Sequence, residues 1–166
     1  MRFTVFPDQF AKEKREADLP WADIATAIAN APEYASRDAC PWLSLAVYGD
    51  AASANHCLRN SANVLAITGL EGDYDGGQVS IADAAQRAKA AGLTACLYTS
   101  SSNTPDAPRW RILVPLSREY PLAARAGLMD RLNGVMGGIL TTESWTQSQA
   151  FLFGRVRGVE YRCINV

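Results

Sequence analysis

Two carboxylates separated by one residue, Asp73 and Asp75, end an apolar run, Val64-Leu65-Ala66-Ile67-Thr68-Gly69-Leu70. Strand side chains alternate, so both acids leave one face and Tyr74 leaves the other. Two neighbouring carboxylates repel unless a cation lies between them. Mg²⁺ or Mn²⁺, with substrate phosphates completing an oxygen shell, would meet that need. An Asp ahead of Gly76-Gly77 is also ordinary turn chemistry, so spacing alone leaves both readings open. Glu71 shares the alternation and is expected to be a solvated strand residue. A second constellation follows: the hydroxyl-rich Ser100-Ser101-Ser102-Asn103-Thr104-Pro105, then Arg109-Trp110-Arg111. Arg109 and Arg111 share a strand face, and a small-residue loop beside two guanidiniums suits a polyphosphate. The competing reading is a surface loop with arginines paired to nearby acids.

These residues must be carried by elements legible in the pattern. Arg2–Phe6 alternates as a strand. A helix is expected from Pro20 through Ile24, Ala27 and Ile28 to Ala31, closed by Pro32. Trp42–Tyr48 reads as one strand, and Ser80 with Asp83 caps a helix ending at Gly92. Thr94–Thr99 and Trp110–Leu116 read as strands. A helix from Pro121 to Val135 stops at Gly137-Gly138. The tail, Ala150–Val156 and Val159–Val166, is expected to form a hairpin turned at Arg157-Gly158. From Val64 onward the order is β-α-β-β-α-β, so the fold class is α/β (α+β), with an RRM-like, ferredoxin-like core. The expected division is one domain over 1–166: an N-terminal extension at 1–57 and a core at 58–166 bearing the motifs.

Composition narrows the classes. The 166 residues are 48% hydrophobic and 20% charged, which excludes a disordered, collagen-like or coiled-coil chain. The apolar stretch Ala39–Gly49 is too short to span a membrane and contains Pro41. Lys12-Glu13-Lys14-Arg15 follows the first strand, the reverse of a secretory signal, so the expectation is cytoplasmic. Cys40, Cys57, Cys96 and Cys163 are scattered and His56 is the lone histidine, an arrangement that reads as reduced thiols rather than a zinc site or disulfide framework. Residues 1–100 carry eight basic and twelve acidic side chains, net −4; residues 101–166 carry eight Arg and five acids, net +3. That Arg bias suits bidentate phosphate or carboxylate contacts. A D-x-D glycosyltransferase leaves the Arg-x-Arg strand unexplained, and a relaxase-type nuclease needs more than one histidine.

The strings Leu70-Glu71-Gly72-Asp73-Tyr74-Asp75-Gly76-Gly77, Tyr98-Thr99-Ser100-Ser101-Ser102-Asn103-Thr104-Pro105 and Pro108 to Ser117 resemble the primase–polymerase domain of phage and plasmid replication proteins. These belong to the archaeo-eukaryotic primase superfamily. Leu132-Asn133-Gly134, Gly137-Gly138 and Glu143 to Gln149 resemble its closing motif. The resemblance implies a DNA primase or primase–polymerase. It would carry out template-directed nucleotidyl transfer by a two-metal mechanism for a phage, plasmid or integrated element. It further implies that Asp73 and Asp75 hold Mg²⁺ or Mn²⁺, with Glu143 as the third catalytic acid. Ser102, Asn103, Arg109 and Arg111 would bind nucleotide or phosphate. The implied partners are a single-stranded DNA template, nucleoside triphosphates and a helicase domain or partner. One position departs from the family: Asn103 stands where a histidine contacts the triphosphate. Asparagine carries no charge, so triphosphate binding is expected to be weaker. The alternative is a weakened or inactive nucleotide- or nucleic-acid-binding module of the same fold.

Overall fold

Val64 to Leu70 is rich in β-formers, and the strand it starts continues without a break into the acidic motif. In the computed structural model, which describes residues 1–166, β6 runs from Val64 to Tyr74. Around it lie β5 (Ala46–Tyr48), β7 (Cys96–Thr99), β8 (Trp110–Tyr120) and β11 (Cys163–Asn165), in the antiparallel order β11-β7-β8-β6-β5. A second sheet orders β2 (Arg15–Asp18), β1 (Arg2–Phe6), β4 (Trp42–Ser44) and β9 (Phe151–Leu152). A two-stranded parallel pair joins β3 (Glu33–Tyr34) to β10 (Arg155–Val156). The mixed α+β class is as expected. No helix is long and apolar enough to cross a membrane.

Register sorts the central sheet into two faces. Leu70 opposes Val114, Gly72 opposes Ile112 and Tyr74 opposes Trp110. These side chains meet α2 (Ile81–Ala90) and α3 (Arg125–Val135) in the larger core. Asp73 opposes Arg111 and Glu71 opposes Leu113, and this face looks the other way. There Leu113, Cys96 and Tyr98 pack with Leu43, Leu45 and Phe3, and with Ile24, Ala25 and Ile28 of α1 (Trp21–Ala29). The acid–arginine face therefore lies between the central sheet and the N-terminal layer.

Four expectations need correction. Trp42–Tyr48 is two strands in different sheets, because the chain changes sheet at Leu45. Its carbonyl accepts both Thr68 N (2.8 Å) and Gly69 N (3.0 Å), and its N–H donates to Glu71 Oε1. Gly69 makes the approach possible, since a Cβ there would sit 2.4 Å from Leu45 Cδ1. Secondly, the tail is no hairpin: β9 pairs β4, β10 pairs β3 and β11 pairs β7, each serving an otherwise open edge. The edge of β6 away from β8 is covered by β5 near Val64–Ile67 and, at Asp73, by the segment after Gly138. Thirdly, α3 starts at Arg125 rather than Pro121, after a 3₁₀ turn at Leu122–Ala124, and buries Arg125, Met129 and Leu132 fully, with Leu128 and Val135 half-buried beside them. β5 thus belongs to the central sheet and β9 to the N-terminal one.

The fourth correction is Glu71, which is buried, not solvated. Its side chain is 1% exposed and its Oε2 accepts from Arg125 Nη1 at 2.9 Å, with Arg125 only 2% exposed. Ser44 Oγ, whose proton goes to Gln149 O (2.6 Å), lies 3.3 Å from Glu71 Oε1, which also accepts from Leu45 N. Arg125 donates further to Ser144 O (3.1 Å) and Thr146 O (3.2 Å). Every polar group of the pair thus has protein partners, the condition under which buried ions are tolerated. Glu71→Leu or Arg125→Met alone is expected to cost about 3–5 kcal/mol, and the double change less than the two together. Urea unfolding of the four proteins measures this, and strict additivity would refute the coupling.

Candidate active site

Asp73 sits where β6 loses its neighbour on one side. Its N–H donates to Ser144 Oγ (3.0 Å) and its carbonyl accepts from Thr141 N (2.9 Å), so the 3₁₀ turn Thr142–Trp145 closes the open edge. Across the sheet, Arg111 Nε donates to Asp73 Oδ1 at 3.1 Å, with side chains 10% and 14% exposed. Arg111 is wedged over the Phe151 ring (4.7 Å) and near the Tyr98 ring (6.0 Å). Its Nη1 reaches Leu152 O at 3.5 Å. Phe151, on β9, and Tyr98, on β7, line this cradle; the pattern placed both on strands, but nothing in the spacing showed that they flank Arg111.

Asp75, two residues on, is more open. Arg109 Nη1 lies 3.9 Å from its Oδ1, and each side chain is roughly two-fifths exposed. Between the acids, Tyr74 stacks on Trp110 (4.8 Å, 23°), and the Tyr74 hydroxyl accepts from Gln78 N and Val79 N, both 2.9 Å. Trp110 Nε1 donates to Val79 O (2.9 Å). The turn after Asp75 needs its glycines: Gly77 has φ +71°, and a Cβ on Gly76 would meet the Tyr74 ring at 2.7 Å. Thus the stacked pair beneath the face fixes where both acids emerge.

The loop from Ser100 to Pro108 is tied back to the same strand. Ser100 N donates to Arg109 O (3.0 Å), and Asn103 Oδ1 accepts from Arg109 N (3.0 Å). Asn103 therefore has a local role invisible in the spacing: its side-chain carbonyl fastens the loop at the start of the arginine strand. Ser102 is exposed at the loop tip, with its N–H donating to Ser100 Oγ (3.3 Å). Glu143 is exposed on the closing turn, and its carboxylate has no ion pair. Asp73, Asp75, Arg109 and Arg111 are brought together; Glu143 lies near enough to act on Asp73 electrostatically but completes no three-carboxylate cluster.

Burial pushes the Asp73 carboxyl above the ordinary aspartate range; the Arg111 charge opposes this, and Asp75 and Glu143 reinforce it. As a donor set the site offers Asp73 Oδ2, which no hydrogen bond engages, and both oxygens of Asp75. Hard oxygen donors of this kind fit Mg²⁺ or Mn²⁺ with ligand oxygens filling the remaining positions. Thr141 Oγ1, on the closing segment, is buried without a partner.

No protein-family model and no curated protein matches the chain. Among solved structures it is similar to the primase–polymerase (PrimPol) archaeo-eukaryotic primase domain of cyanophage S-2L. The TM-score is 0.51 at 13% identity, over 99% of this chain and 79% of that one. The likeness is one of fold.

The Asp73 carboxyl should titrate above the ordinary aspartate range, and Arg111→Met should raise it further by removing the one opposing cause. Carboxyl ¹³C NMR titration reads both; a midpoint at or below the range of a free aspartate would contradict the burial argument.

Proposed function

We propose that the chain is a nucleotidyltransferase of the primase–polymerase kind, extending a strand on a single-stranded DNA template from nucleoside triphosphates. The observation that carries this reading is the meeting of Asp73, Asp75, Arg109 and Arg111 on one face of a sheet whose overall fold is shared with a primase–polymerase domain. Asp73 and Asp75 would hold Mg²⁺ or Mn²⁺. When bound, such ions supply charge neutralisation at the α-phosphate and activation of the attacking hydroxyl.

The chain's own residues set the rest. Arg111, immobilised by Phe151, Tyr98 and Leu152 O, presents a fixed positive charge beside Asp73. Arg109, half exposed at the mouth, is free to engage triphosphate or template phosphates. Asn103 holds the Ser100–Pro108 loop against Arg109, with Ser102 at its tip as a hydroxyl donor. Glu143, on the turn clamped by Ser144 and Arg125, adds negative charge on the metal side of the face. A helicase domain or partner would supply template opening, and replication of a phage, plasmid or integrated element would be the setting.

Three features favour a second reading. Asn103 contributes no charge, its Oδ1 is already used within the loop, and Asp73 is already ion-paired. These are features expected of a module that binds nucleotide or single-stranded DNA without turnover. A primer-extension and de novo synthesis assay on single-stranded DNA with Mg²⁺ or Mn²⁺ separates the two. Metal-dependent products that vanish in Asp73→Ala/Asp75→Ala are expected, whereas DNA binding without any product would favour the binding module. Arg109→Ala should weaken template or triphosphate binding and lower the salt slope by about one; an unchanged slope would make Arg109 a bystander.

A further inference from the structure

The central sheet ends in an edge strand of three residues, β11, whose hold on β7 includes a feature the proposed chemistry does not use. Backbone pairing is present at both ends of the contact. Ala95 and Val166 exchange hydrogen bonds (3.0 and 2.9 Å), and Thr99 N donates to Arg162 O (2.9 Å). Between them the register places Cys96 opposite Asn165 and Cys163 opposite Tyr98. The two cysteines are thus diagonal neighbours on one sheet face, and their sulfurs lie 3.5 Å apart. A disulfide requires about 2.05 Å. The remaining closure is small for an edge strand anchored on one side only.

We infer that Cys96 and Cys163 form a peroxide-responsive dithiol, closing to a reversible disulfide that pins β11 to the sheet. The two thiols are unequal in the way such a pair requires. Cys163 is half-buried at the edge, whereas Cys96 is fully buried among Leu43, Leu45, Leu113 and Tyr98. A hydrogen bond from Cys96 holds the Cys163 thiol below its ordinary range, while that bond and burial push Cys96 up. Cys163 is therefore the nucleophile and Cys96 the resolving thiol. The Cys163 thiolate attacks hydrogen peroxide, an S–O bond forms, the O–O bond breaks, and hydroxide leaves to become water on taking a proton. Cys96, deprotonated, then attacks the sulfenic sulfur; the S–S bond forms, the S–O bond breaks, and a second water leaves. Two thiols are oxidised and one peroxide is reduced. A free thiol such as reduced glutathione reverses the step by exchange.

What the crosslink would restrain is visible nearby. Thr99 Oγ1 donates to Glu160 O (3.1 Å) and accepts from Arg162 N (2.9 Å), immediately before the Ser100–Pro108 loop. Fixing β11 thus fixes the strand end from which that loop departs. Cys40 is buried elsewhere and Cys57 lies in the Gly49–Asn63 segment, so neither offers Cys163 a rival partner at contact distance.

The test treats the full chain with hydrogen peroxide, blocks free thiols, and maps peptides by mass spectrometry without reduction. The expected product is a Cys96–Cys163 peptide pair that disappears on adding glutathione, together with slowed amide exchange at Thr99 and Arg162. Cys96→Ala should leave Cys163 as a sulfenic acid trapped by dimedone, and Cys163→Ser should leave Cys96 unoxidised. Oxidation of Cys163 to sulfinic acid without any crosslink, or a crosslink through Cys40 or Cys57 instead, would overturn the inference. Should the Cys96 variant fail to fold, the wild-type map and Cys163→Ser decide the matter alone.

Discussion

A single buried ion pair, Glu71 with Arg125, holds together parts of the chain that would otherwise have no reason to meet. Glu71 lies two residues before Asp73 on β6, and Arg125 opens α3. Through Leu45 N, with Ser44 Oγ alongside, the carboxylate fixes the point where the chain passes from one sheet to the other. Through Ser144 O and Thr146 O the guanidinium fixes the turn that closes the free edge of β6. Ser44 Oγ then reaches Gln149 O at 2.6 Å, which completes the ring of contacts. Burying charge is expensive, so the pair is weak as a source of net stability; what it supplies is registry between elements.

From that registry the chemistry follows. The closing turn can bring Ser144 to the Asp73 backbone and Glu143 to the same side only because Arg125 holds it there. Beyond the turn, Phe151 and Leu152 become β9 and form one wall of the Arg111 cradle. The opposite face of β6 contributes as well, since Tyr74 stacked on Trp110 prevents the end of the strand from twisting away. The outcome is a face with two carboxylates and two guanidiniums, in which the more buried acid meets the more buried arginine. Such a face is suited to a ligand carrying both a hard cation and phosphates.

Much of this was legible in the sequence, and the reasons for the failures are specific. The strand that carries Asp73 and ends just before Asp75, the Ser80 cap and the arginine strand obeyed local rules, so alternation and capping chemistry located them. Glu71 was misread because a carboxylate within an alternating strand looks solvated unless its partner is known, and that partner lies 54 positions away. Arg125 went unremarked for the same reason, since nothing local shows that the residue opening α3 is buried. The tail misled because β9, β10 and β11 are two or three residues long, and their pairing answers to the open edges of other strands rather than to a turn. Asn103 was noticed for the charge it lacks, while its hydrogen bond to Arg109 N depends on loop geometry that no spacing reveals.

The central proposal is that Asp73 and Asp75 share a divalent cation, and that the phosphates of the nucleotide bound with it reach Arg109 and Arg111. Crystals of the protein soaked with Mn²⁺ and a non-hydrolysable deoxynucleoside triphosphate would test it directly. The account predicts an anomalous Mn²⁺ peak between the two aspartates, with the triphosphate running toward the arginines and the Ser100–Pro108 loop. An ordered triphosphate bound elsewhere on the protein, with no Mn²⁺ at Asp73 and Asp75, would contradict it.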